Sequence, residues 1–158
     1  MNLGIVGVEG KKFTPETELT ARRIIRELVE AFEPEYLVSG HCHLGGIDIF
    51  VEEEAASLGV PTLIYPPKRF QWEGGYKPRN LAIVRHSDSV FCLTIKELPQ
   101  EYDGMRFKLC YHCDSDKHVK SGGCWTVKQA LKAGKSGAII VIDGDKLFYD
   151  VSIREQIA

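Results

Sequence analysis

Apolar positions along the chain fall into short runs separated by longer segments with helical spacing. "LGIVGV" (3–8) is an uninterrupted apolar run of the kind a buried strand shows. Thr14 followed by Pro15 predicts a helix start, and Leu19, Ile24, Ile25, Leu28 and Phe32 then recur at helical spacing. "EYLVSG" (35–40) reads as a second strand, and a helix is expected from Ile47 to Leu58, ended by Gly59. "PTLIYPP" (61–67) predicts a third strand, Pro78 opens a helix to about His86, and "SVFCLTI" (89–95) predicts the fourth strand. A last helix, Trp125 to Ala133, leads to "GAIIVID" (137–143), after which Asp143-Gly144 turns the chain into "KLFYDV" as a hairpin edge. Strands alternating with helices predict an α/β fold: a three-layer Rossmann-like sandwich with a mostly parallel sheet and a C-terminal hairpin edge.

Composition narrows the class without naming a function. At 158 residues the chain suits one domain, and 44% hydrophobic with 27% charged residues is the balance of a soluble globular protein. No apolar run approaches the ~20 residues of a membrane helix, and the start lacks the features of a secretory signal, so a cytoplasmic protein is expected. A formal charge of -2 gives no general footprint for nucleic acid. Five cysteines in a reducing compartment are expected as free thiols or metal ligands.

In such a sandwich, ligands bind beyond the carboxyl ends of the parallel strands. The glycine-rich and polar stretches collect there: "GVEGKK" with Gly7 after the first strand, "SGHCHLGGID" after the second, "PPKRFQWEGGYKPRN" after the third, and "SGGCWT" before the last helix. Glycines let backbone N–H groups approach an anion, and a helix N-terminus adds a positive dipole end, so phosphate is the expected guest. Gly4, Gly7 and Gly10 do not have the dinucleotide-binding spacing. Each glycine pair also has a plain reading as a tight turn.

These stretches, in this order, resemble the SLOG superfamily of Rossmann-like domains, over about residues 3–143 apart from one insertion. The resemblance is nearest to small stand-alone members with an S-G-G-x-x-G-x-D-like loop, an aromatic-rich loop ending in Arg-Asn, and a late G-T-x-x-T-like turn. It implies binding of a nucleotide or nucleotide-derived ligand. Carried over by residue, Ser39, Gly40, Gly45, Gly46 and Asp48 would form one ligand loop, Arg79 and Asn80 a second, and Gly122, Gly123 and Thr126 a phosphate turn. One branch, the cytokinin-activating LOG enzymes, cleaves the base from nucleoside monophosphates with a motif P-G-G-x-G-T-x-x-E. Here the proline is Ser121, the third glycine is Trp125, and the glutamate is Gln129, which neither takes nor gives a proton at neutral pH. An enzyme acting on an N-glycosidic bond would have to use Asp48, Glu52, Glu53 or Glu9 instead.

Trp72 is a candidate base-stacking ring and Arg79 a candidate phosphate fork, against rim packing and a surface ion pair respectively. His41 is a candidate ligand contact; it and His43 alone do not make a metal site.

Residues 96–121, "KELPQEYDGMRFKLCYHCDSDKHVKS", lie outside the family pattern. At about 26 residues they far exceed the ~4–6 of a median connection, and such a loop needs something to hold it. Cys110-x2-Cys113-x4-His118-x5-Cys124 is one residue longer in its last gap than a zinc knuckle, and a Cys3His set is an ordinary structural zinc site. His112 is a substitute for His118. Reduced free thiols and a redox C-x-x-C are the alternatives. If zinc binds, Cys124 would couple the metal to the phosphate turn, since it follows Gly123. The insertion could otherwise contact single-stranded nucleic acid through Lys117, Lys120 and Trp125, a reading the charge disfavours. Homo-oligomerisation stays open.

Overall fold

In the computed structural model, which describes residues 1–155, six strands form one sheet in the order β3-β2-β1-β4-β5-β6. The elements are β1 (Asn2–Gly7), α1 (Pro15–Phe32), β2 (Tyr36–Ser39), α2 (Ile47–Leu58), β3 (Thr62–Ile64), α3 (Lys77–His86), β4 (Ser89–Ile95), α4 (Gly123–Lys132), β5 (Ser136–Asp143), β6 (Lys146–Asp150) and α5 (Ser152–Glu155). β1 to β5 pair in parallel, and β6 returns antiparallel to β5. This is the expected Rossmann-like sandwich with its hairpin edge. Gly144 stands at φ 62 in the two-residue hairpin loop, a value glycine adopts without steric cost.

Strands buried on both faces divide their side chains between two cores. Leu3, Ile5, Phe91, Leu93, Ile140 and Ile142 face α1 and α2, where they pack with Ile24, Ile25, Leu37, Ile47 and Phe50. Val6, Val90, Cys92, Ile139 and Val141 face the other way, against Ile83, Val84, Val127 and the cysteines Cys110, Cys113 and Cys124. The second core therefore includes the insertion.

Thr14 caps α1 as expected. Its Oγ1 accepts the Thr17 N–H at 3.1 Å, and its own N–H donates to Thr17 Oγ1 at 2.8 Å. Leu19 and Phe32 depart from expectation, being 70% and 38% exposed, because the buried stripe of α1 runs through Thr20, Ala21, Ile24, Ile25 and Leu28. β3 is shorter than expected, three residues at the sheet edge, since Pro66 and Pro67 follow it. α4 begins two residues earlier than expected, at Gly123. Among the described residues no helix is long and apolar enough to cross a membrane.

Glu54 ties α2 to α1. Buried at 9% exposure, its carboxylate accepts Arg22 Nη1 at 3.0 Å and Arg26 Nη1 at 2.6 Å. Burial pushes its pKa up, but the Arg26 and Arg22 guanidiniums outweigh that and hold it below the ordinary value. A carboxylate depressed in the folded state stabilises fully above its unfolded pKa, near ~4.3, and loses that contribution as pH falls through the folded value. Glu54→Gln is expected to cost about 1–3 kcal/mol at neutral pH. Thermal melts of both proteins should show the gap closing below about pH 4; a gap independent of pH would refute the assignment.

Candidate functional site

The sheet order reverses direction between β1 and β4, and a cavity of about 570 Å³ opens there, beyond the strands' carboxyl ends. Gly7 ends β1 at its floor. A Cβ at Gly7 would come within 2.2 Å of the Leu93 carbonyl oxygen, and one at Gly123 within 2.8 Å of Cys92 Sγ and 3.4 Å of the Gly7 nitrogen. Two glycines thus let the first turn of α4 seat directly against the end of β1.

That turn is rich in unused donors. The N–H groups of Cys124 and Trp125 go to the carbonyls of Ser121 and Gly122, both at 3.1 Å. Among the described residues, nothing accepts from the N–H groups of Gly122 and Gly123. Thr126 is 1% exposed and lines the cavity, and its hydroxyl has no partner among the described residues either. Among the described residues Ser87 Oγ alone is a buried side-chain oxygen or nitrogen without a partner, so the Thr126 hydroxyl opens on the cavity, where a ligand can meet it.

Arg79, in the first turn of α3, also lines the cavity. Its Nε donates to Asn80 Oδ1 at 2.7 Å and its Nη1 to the Gly40 carbonyl at 2.6 Å, while its plane lies 5.5 Å from the Tyr76 ring. These bonds fix the guanidinium, and its Nη2 has no partner among the described residues. Trp72 is 40% exposed and meets Trp125 edge to face, with ring centroids 4.7 Å apart.

Asp48 also lines the cavity, but its oxygens are occupied. Oδ1 lies 3.2 Å from Ser39 Oγ, Oδ2 accepts the Cys42 N–H at 3.1 Å, and Arg79 Nη1 is 3.9 Å away. Ser39 Oγ has one proton and two acceptors in reach, Asp48 and the Ile5 carbonyl at 3.0 Å. A protonated Asp48 would satisfy both, and burial does push its pKa up against the pull of Arg79.

Of the residues expected to meet a ligand, Gly7, Asp48, Trp72, Arg79, Asn80, Gly122, Gly123 and Thr126 line the cavity. Ser39, Gly40, Gly45 and Gly46 stand behind the wall. Ser39 braces Asp48, Gly40 holds Arg79, and the Gly45-Gly46 turn backs onto Val8 and Glu9. His41 is outside, its Nδ1 paired with Glu52 at 2.6 Å, and His43 stacks on Phe70 at 3.9 Å, so the two histidines do not share an ion. Glu52 and Gln129 do not line the cavity, whereas Glu9 does.

The insertion adds Tyr102, Met105, Phe107, Tyr111, His112 and Lys120 to the wall, and Lys12 joins it after β1. Lys12 was within reach of sequence reasoning, as part of the loop after the first strand. His112 and Lys120 stood out in the sequence for other roles, whereas Tyr102, Met105, Phe107 and Tyr111 carried no pattern to mark them.

The insertion is fastened at both ends. Lys96 N–H donates to the Ile142 carbonyl at 2.9 Å, Val119 N–H to the Ile95 carbonyl at 3.0 Å, and the hydroxyls of Thr94 and Ser121 bond each other. Between them Cys110 and Ser115 close a turn through Cys110 N–H to the Ser115 carbonyl at 2.8 Å, with Asp114 at φ 52. This turn brings Cys110, Cys113 and His118 to Cys124 on α4. The four ligand atoms lie within 4.8 Å of one another and all four residues are buried, an arrangement that can hold a metal ion. His112 is not part of it, since it faces the cavity. His118 Nδ1 donates to the Val119 carbonyl at 2.7 Å, which leaves Nε2 toward the sulfurs. Cys110 Sγ accepts the Ser121 N–H at 3.4 Å. Thiol donation from Cys113 and Cys124 holds Cys110 far below its ordinary pKa, and the same bond pushes Cys113 up to about 12. Without a cation, two S–H groups stabilise one thiolate; a metal ion would take the place of those protons. Beside the cluster, Asp150 Oδ2 lies 3.5 Å from His118 Nε2 and accepts the Ser115 hydroxyl, linking β6 to the insertion.

Comparison with protein-family models, with curated proteins and with solved structures returned no match to this chain.

Proposed function

We propose that the protein binds a nucleotide or nucleotide-derived ligand in the β1/β4 crevice, with a structural zinc ion holding residues 96–121 over it. The observation that carries this reading is the donor set at α4, the free N–H groups of Gly122 and Gly123 and the unpartnered Thr126 hydroxyl, in the same cavity as the fixed guanidinium of Arg79. Preorganised N–H and hydroxyl donors at a helix N-terminus suit a phosphoryl group. Trp72 and Tyr76 supply ring faces at the same cavity for a base. The likeness of these loops to SLOG domains points the same way.

Zinc is supported by donor type and spacing. Tetrahedral bonds of ~2.3 Å to sulfur and ~2.0–2.1 Å to nitrogen place S and N about 3.6 Å apart. Nε2 of His118 lies 3.2 Å from Cys113 Sγ and 3.9 Å from Cys124 Sγ, on either side of that value. Four protein ligands leave no open position, so the ion would be structural.

Titration calorimetry with AMP, GMP, CMP and UMP tests the binding. At least one is expected to bind, and Thr126→Val should weaken it about tenfold while leaving the melting temperature within a few degrees. No binding by any of the four, or a Thr126→Val protein that binds as well as the wild type, would remove the phosphate turn from the reading.

Base hydrolysis is the second reading, and one observation favours it: the Asp48 carboxyl lines the cavity while 6% exposed, and burial raises its pKa. The engagement of both its oxygens by Ser39 and Cys42 favours binding without turnover. Release of free base that is lost in Asp48→Asn would reverse that order.

A further inference from the structure

The cavity holds a second group of cations that one phosphoryl group leaves unused. Lys12 and Lys120 come from separate segments, the turn after β1 and the end of the insertion, yet both line the cavity. The Lys12 ammonium donates to the Lys120 carbonyl at 3.3 Å, and the Lys120 ammonium lies 5.6 Å and 5.8 Å from the ring centroids of Tyr111 and Phe107. No carboxylate forms an ion pair with either lysine among the described residues. Glu9 and the Cys110 sulfur lie near enough to attract Lys12, while Lys12 and Lys120 repel each other. Two part-buried ammonium groups facing one cavity without a paired carboxylate are poorly compensated, and a polyanion would compensate them.

Their position says what kind of polyanion. The Lys12 ammonium sits on the Lys120 carbonyl, two residues before Gly122, so it adjoins the donors of α4, and the Lys120 ammonium extends the charge toward Phe107 and Tyr111. Adjacent anion sites suit phosphoryl groups joined through one bridging oxygen. They do not suit phosphates at opposite ends of a ribose.

We infer that the ligand carries a diphosphate, one phosphoryl group on the α4 N-terminus and Thr126 and the next on Lys12 and Lys120. This rests on the nucleotide reading above and specifies its substrate class. The insertion then closes the site and also contributes one of its charges, since Lys120 lies between the proposed metal ligands His118 and Cys124.

The test is calorimetry in magnesium-free buffer with AMP, ADP and adenosine 3′,5′-bisphosphate, and with the corresponding guanosine series. ADP or GDP is expected to bind at least about tenfold more tightly than both its monophosphate and its 3′,5′-bisphosphate. In Lys12→Met and in Lys120→Met, each checked for a native melt, the diphosphate-to-monophosphate ratio should fall toward one. Equal affinity for mono- and diphosphate, or a ratio unmoved in both variants, would overturn the inference and leave nucleotide binding standing. Should neither lysine variant fold, the three wild-type affinities still decide. Binding of none of the probes would overturn the nucleotide reading and this inference together.

Discussion

Purified protein is expected to carry about one zinc ion per chain, and chelation should both loosen residues 96–121 and weaken ligand binding about tenfold or more. The coupling follows from chain order. Tyr111 and His112 lie between Cys110 and Cys113, Lys120 lies between His118 and Cys124, and Cys124 follows Gly123 in the first turn of α4. Each of these intervening residues lines the cavity, so the metal would fix the cavity wall through the backbone. The energetic effect is large because the same cysteines are part of the second core. A metal present at a thousandfold over its Kd stabilises the folded state by about 4 kcal/mol, roughly 10 °C in melting temperature for a chain of this size. Cys113→Ser should reproduce the effect of chelation, and trypsin should then cut quickly at Arg106, Lys108 and Lys117. Metal analysis, a melt, limited proteolysis and AMP or ADP titration before and after chelation check each part. A metal-free protein with five freely titrating thiols would refute the zinc assignment. A chelated protein with unchanged nucleotide affinity would keep the metal and refute the coupling.

The framework was legible because its signals are local and repeat along the chain. β1, β4 and β5 are apolar runs buried on both faces, and Thr14, Pro15 and Gly59 mark helix ends by chemistry that needs no tertiary partner. Gly7, Arg79 and the Gly122-Gly123 turn could be placed at the cavity because the crevice of such a sheet always lies at the same edge. The division between residues that line the cavity and residues that brace it was not legible. Ser39 reads as a ligand residue until its hydroxyl is seen turned to Asp48 and the Ile5 carbonyl, and His41 until its ring is seen paired with Glu52. Both depend on side-chain direction at a strand end, which sequence spacing does not fix. The wall formed by Tyr102, Phe107 and Tyr111 was hidden for another reason. The path of the insertion is set by side-chain contacts that leave no periodicity, such as Arg106 Nη2 donating to the carbonyls of Pro99 and Tyr102 at 3.0 and 3.1 Å.

Gly46→Ala is expected to be the most damaging single methyl group in the site, although Gly46 does not line the cavity. Its backbone, at φ 84 and ψ -148, occupies a region open almost only to glycine, where another residue costs about 1–3 kcal/mol in strain. A Cβ there would also stand 2.2 Å from the Val8 carbonyl oxygen and 2.6 Å from the Glu9 carbonyl carbon, and neither backbone atom can swing aside as a side chain would. Strain and overpacking together are expected to cost about 3–5 kcal/mol, lowering the melting temperature by roughly 10 °C. Gly40→Ala provides the contrast. Its Cβ would meet Arg79 Nη1 at 2.3 Å and Asp48 Oδ2 at 3.0 Å, both side-chain atoms rather than backbone, and Gly40 carries no positive φ. The cost then falls on the position of the guanidinium, so Gly40→Ala should melt near the wild-type temperature while binding nucleotide about tenfold more weakly. Melts and titrations of the two variants separate these outcomes. If Gly46→Ala were as stable as the wild type, the Val8 to α2 junction would not be the rigid seat of the cavity; if Gly40→Ala bound normally, Arg79 would not be the anion fork.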